Sequence, residues 1–99
     1  MEKLIQQLEA AWDENGFFDH LRAGLFNPTE ASDFMIVLRS IDLNDQEMIP
    51  ARLLSLIWYI PSFLDWQRDR VAEKGGDADG YARFITEVMN ILEEVIGVP

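Results

Sequence analysis

The chain reads as all-α: a compact antiparallel bundle of about five helices, one of them kinked or broken at Pro61. Three observations predict this. Apolar residues recur at helical rather than alternating spacing. Helix-start and helix-stop residues punctuate those segments, and the polar connections between them are short, which favours antiparallel neighbours. No run finds a clear partner strand. Ninety-nine residues, 48% of them hydrophobic, make one domain with enough apolar side chains for its own core.

The first helix is carried by Leu4, Ile5, Leu8, Ala11 and Trp12 on one face, with Gln6, Glu9, Ala10 and Asp13 opposite. Asn15-Gly16 stops it, because both residues tolerate left-handed backbone. The same pair could make a hairpin, but its flanks are helical in period. Phe17, Phe18, Leu21 and Leu25 share a face, so a short helix is expected over about 17–25, weakened by Gly24. Asn27-Pro28-Thr29-Glu30 is a start signal, with Asn as N-cap and Pro at the first helical position. The helix it opens runs to about Ile41 and buries Phe34, Val37, Leu38 and Ile41. Residues 34–38, FMIVL, would also suit a strand, and Ile36 falls on the wrong face of a helix. Helix is preferred for want of a partner strand.

Residues 42–47, DLNDQE, form a polar connection in which Asn44 and Glu47 have capping spacing. Pro50 then starts a long helix. Pro61 has no N–H for the Ile57 carbonyl, so the helix kinks there or stops and restarts at Ser62, with Asp65 three residues on. Leu53, Ile57, Ile60, Leu64 and Val71 form one stripe; Leu56, Tyr59, Phe63 and Trp66 form a second beside it. A helix so lined is expected to be central and packed on two sides. Trp58 lies off both stripes, near Ser55, Ser62, Asp65 and Asp69. Left there it is an exposed interface anchor; a kink could rotate it inward. After KGGDADG at 74–80, the last helix buries Tyr81, Phe84, Ile85, Val88, Leu92, Val95 and Ile96 and ends at Gly97.

Charge is the most distinctive global property. Eighteen acids against eight bases leave a net charge of −10. Residues 1–50 hold ten acids and three bases, a net of −7; residues 51–99 hold eight and five, a net of −3. Such a chain repels nucleic acid and anionic membrane and attracts a basic protein. The acidic surface could also serve solubility alone. There is no cysteine, no signal-peptide pattern at the N-terminus, and no apolar run long enough to span a bilayer. A cytoplasmic protein is expected.

The catalytic inventory is thin. His20 is the lone histidine, and beside aromatics it reads as a structural or surface residue. No metal-ligand spacing is present, and DADG at 77–80 fails as a calcium loop because Val88 falls where a bidentate glutamate belongs. Gly75-Gly76 follows a helix, not a strand, and makes no phosphate loop. Asp65 and Asp69 repel at i, i+4, and Arg68 can relieve Asp65. No cofactor, metal site or enzymatic activity is expected, although a carboxylate pair between helices would be the route to one.

The leading expectation is therefore a small acidic inhibitor that binds a basic toxin or nuclease and occludes its active site. Its candidate contacts are Asp13, Glu14, Asp19, Asp42, Asp45 and Glu47, with Trp58 as apolar anchor. In composition the chain is similar to bacterial immunity proteins as a class, which implies an antitoxin-type role. The alternative is a helical adaptor or homo-oligomer using the aromatic segment 56–66.

Overall fold

The computed structural model describes residues 1–43 and 48–99. Among these the chain is helical, without strands: α1 (Glu2–Trp12), α2 (Phe17–Arg22), α3 (Pro28–Arg39), α4 (Ala51–Ile57), α5 (Ile60–Trp66), α6 (Arg68–Glu73) and α7 (Ala78–Ile96). Only one or two residues separate α4, α5 and α6, so they form one broken arm, and the bundle has five helical units. The expected capping pair Asn44 and Glu47 lies outside the described residues. No described helix is long and apolar enough to cross a membrane.

Local signals act where the sequence places them. Asn15 takes a positive φ of 64° after α1. The Asn27 side chain accepts from Thr29 N–H at 2.8 Å and Glu30 N–H at 3.1 Å, with Pro28 in the first turn of α3. The Asp77 side chain accepts from Gly80 N–H at 2.9 Å and opens α7. FMIVL is helical, and Ile36 stands 65% exposed because its face points outward.

Two expected elements end sooner. α2 stops at Arg22, because Gly24 turns the chain with a φ of 81°; Leu25 is thereby left exposed, not buried. Gly24 is also a close-packing position: a Cβ there would stand 2.7 Å from the Arg70 carbonyl oxygen. α3 ends at Arg39, although Ile41 still reaches the core. In α7, Ile91 is buried beside the expected residues, while Ile96 in the last turn is exposed.

The arm breaks at Trp58–Tyr59, two residues ahead of Pro61, which sits in the first turn of α5. The Ser62–Asp65 capping box does not form: Tyr59 precedes α5, and Ser62 lies inside it. A second break follows at Gln67. Each break hands a helix-end carbonyl to an aromatic side chain from another helix. The Trp12 indole N–H donates to the Leu56 carbonyl at 2.9 Å. The Tyr81 hydroxyl donates to the Leu64 carbonyl at 2.6 Å. In an unbroken helix Leu64 would bond to Arg68; here Gln67 N–H reaches it at 3.2 Å and Tyr81 completes the set. Burial pushes the Tyr81 hydroxyl well above the usual phenol range, outweighing the nearby Arg68, which acts the other way.

α1 lies antiparallel to α3: Lys3 and Leu4 share one groove with Val37 and Ser40, and Ala10 and Ala11 share another with Glu30 and Asp33. α5 lies antiparallel to α7, with Leu64 at Tyr81 and Trp58 near Ile96. Between them sits an aromatic centre. Phe18 is fully buried, with ring centroids of Trp12, Phe17, Phe34 and Phe63 at 4.1, 5.4, 5.0 and 5.3 Å. The arm is packed on two sides as expected: Phe63 of α5 meets Trp12 at 5.1 Å and Phe18 at 5.3 Å, and Leu64 meets Tyr81 of α7. Ile60, Phe63 and Leu64 are its buried residues. Trp66, expected in the core, is instead 66% exposed.

Candidate functional site

The first break decides where Trp58 goes. As the last residue of α4's turn it stays on the outer side, 62% exposed. Its ring lies 5.3 Å from that of Tyr59, and Tyr59 meets Trp66 edge-on at 5.8 Å. Trp58, half-buried Tyr59 and Trp66 thus form a row of rings across the surface of the broken arm. Behind Tyr59 lies Trp12, at 6.3 Å, which joins the row to the core.

Three of the candidate acids gather at the turn after α1. Asp13 directly follows Trp12 at the end of α1, and Glu14 is the next residue in the turn. The Asp19 carboxylate accepts from Asn15 N–H at 3.0 Å and is drawn back onto the same turn. It also faces Arg22 at 3.7 Å. Asp13 and Glu14 carry carboxylates with no side-chain partner among the described residues. Trp12, directly before Asp13, joins this corner to the aromatic row through Tyr59.

The other candidates are not part of that corner. Asp42 is exposed beyond the end of α3. That end packs near Lys3 and Leu4, at the opposite end of α1 from Asp13. Eleven residues of helix put about 16 Å between the two ends. Asp45 and Glu47 lie outside the described residues. Thus Asp42 does not share the Asp13 corner.

Several residues enter the surface that sequence reasoning placed elsewhere. Trp66 is one; its flanks, Asp65 before it and Gln67-Arg68-Asp69 after it, were the available signal. Others come from α7. Trp58 and Pro61 face Met89, Glu93 and Ile96 across a groove of about 230 Å³. Nothing local could reveal that neighbour, which is some thirty residues away in the chain.

Most arginines are already engaged with acids. Arg52 meets Glu9 at 2.8 Å, Arg68 meets Asp65 at 2.7 Å, and Arg39 approaches Glu87 at 4.0 Å. The Arg68 contact is the relief expected for the Asp65–Asp69 pair. His20 is held by Glu30, with Nδ1 at 2.9 Å from one carboxylate oxygen and 3.1 Å from the other. Among the described residues no three His, Cys, Asp or Glu side chains are grouped to hold a metal ion. The arrangement offers contact area and negative charge. Exposed tryptophans supply apolar area that gains by burial, and the adjoining carboxylates supply a field that orients a cationic surface. Comparison with known protein families, curated proteins and solved structures finds no match to this chain.

Proposed function

We propose that the protein is an acidic protein-binding module of the immunity or antitoxin type, which neutralises a basic toxin or nuclease by covering its active site. One observation carries the reading: the exposed row Trp58, Tyr59 and Trp66 reaches Trp12, the residue directly before Asp13 and Glu14, whose carboxylates have no side-chain partner among the described residues. Large exposed aromatics cost solubility and gain free energy only when a partner covers them. Carboxylates beside them accelerate encounter with a cationic cleft and leave the rings to set the lifetime of the complex. The net charge of −10 extends that attraction over the whole surface. A cysteine-free chain suits the reducing cytoplasm of the producing bacterium.

The test is capture of the tagged protein's partner from its own source, with a low-salt wash and a high-salt elution. A single basic protein should elute, and its enzymatic activity should be suppressed by stoichiometric addition of this one. Asp13→Lys with Glu14→Lys should slow association, whereas Trp66→Ala should speed dissociation. Recovery of the protein alone overturns the reading.

A second reading, a homo-oligomer or adaptor, is favoured by the apolar exposure of Trp58, Met89 and Ile96 around one groove. Sedimentation equilibrium decides it: a monomer at all concentrations excludes self-association.

A further inference from the structure

The end of α7 makes a surface distinct from the α1–α2 corner. Its groove is bounded by Trp58 and Pro61 on one side and by Met89, Glu93 and Ile96 on the other. Trp58, Met89 and Ile96 all keep apolar area in solvent. From Met89 to Ile96 is seven residues of helix, about 10 Å, the span from i to i+7 on an opposing helix.

The charge around this groove is one-sided. Among the described residues Glu93 is its sole charged lining residue, and no base stands in the last turn of α7. Glu94 follows Glu93 in that turn. A helix C-terminus already carries partial negative charge, so both carboxylates oppose the dipole of a 19-residue helix. A cation is the group that this end lacks. A second copy of the chain would bring a further −10 and oppose Glu93 with more acid, and an anionic membrane would be repelled in the same way.

We infer that the groove between Trp58 and the end of α7 docks a cationic amphipathic helix of a protein partner. The apolar stripe of that helix covers Trp58, Met89 and Ile96, and its Lys or Arg residues lie against Glu93 and Glu94. The inference rests on the reading of a basic protein partner and adds the place and the shape of the contact.

The probe is a synthetic Leu/Lys peptide with leucines at i, i+3, i+4 and i+7, titrated into the isotope-labelled full chain. A Leu/Glu peptide of the same pattern and a Lys peptide of scrambled order are the controls. Saturable binding of the Leu/Lys peptide alone is expected, with amide shifts centred on Trp58, Met89, Glu93 and Ile96 and a gain of peptide helicity. Trp58→Ala should weaken it about thirtyfold, the usual loss on truncating an interface anchor. Glu93→Lys should weaken it and flatten its salt dependence. Equal binding of the Leu/Glu peptide, shifts confined to residues 13–19, or concentration-dependent self-association at the groove would each overturn the inference. If Glu93→Lys, which lies in the groove and outside the aromatic row, loses nothing while Asp13→Lys with Glu14→Lys abolishes capture of the natural partner, the groove fails and the proposed function stands. If no variant of either surface alters any interaction, both fail.

Discussion

Removing one oxygen, by Tyr81→Phe, tests how the broken arm is held. The ring is fully packed in the core and stays in place. Only the hydroxyl is lost, and with it the 2.6 Å hydrogen bond to the Leu64 carbonyl. That carbonyl retains the Gln67 N–H at 3.2 Å, so it is left under-satisfied and not bare. A buried hydrogen bond lost in this way costs about 1–2 kcal/mol. For a domain of this size that lowers Tm by about 5–12 °C. The same group adds a pH signature. Burial raises the Tyr81 hydroxyl above its value in the unfolded chain, which is about 10. With the folded value raised, Tyr81's contribution is fully present below about pH 10. Above that the unfolded state releases its proton first, and stability falls by up to about 1.4 kcal/mol per pH unit until the folded value is reached. Every other titrating group is common to wild type and variant, so the difference between them isolates Tyr81. Urea unfolding from pH 7 to pH 11 should show the advantage of wild type at neutral pH shrinking above about pH 10. Equal stability at pH 7, or parallel pH profiles, would refute the assignment of Tyr81 as the cap of α5.

Phe18→Ala empties the centre of the aromatic cluster and should cost about 3–5 kcal/mol, read as a lowered denaturant midpoint. Gly24→Ala combines a positive φ with a Cβ pressed against the Arg70 carbonyl, and should destabilise by about 2 kcal/mol in thermal unfolding. Trp58→Ala and Trp66→Ala should each change unfolding free energy by less than about 0.5 kcal/mol, because both rings stand mostly in solvent. Quenching of tryptophan fluorescence by iodide or acrylamide should fall correspondingly in both variants, leaving the half-buried Trp12 less accessible.

Helix content, several of the start and stop residues, and most of the core were legible in the sequence because they are local. Asn27 caps α3 through bonds to Thr29 and Glu30, two and three residues away. Asn15 and Gly97 turn the chain with their own backbone freedom. The apolar face of α7 follows from helical period alone, and all but its last members are buried as expected. Periodicity also isolated Trp58 from both stripes of its helix, and that residue is exposed.

What tertiary structure decided is how many sides each helix buries and which distant residues share a surface. Period identifies an apolar stripe, but which of its members are covered depends on where the other helices lie: α1, α2 and α7 cover Phe63 and Leu64 and leave Trp66 exposed. The first break falls just ahead of Pro61, which leaves no N–H for the Ile57 carbonyl, and Trp12 and Tyr81, distant in the chain, each supply a hydrogen bond to a carbonyl at one of the two breaks. Asp13, Glu14 and Asp19 share a corner through a turn-length contact, while Asp42 is carried about a helix length away by the antiparallel pairing of α1 and α3. Charge could be counted along the chain, but its grouping into patches, and the meeting of Trp58 with Glu93, depend on contacts that sequence spacing does not encode.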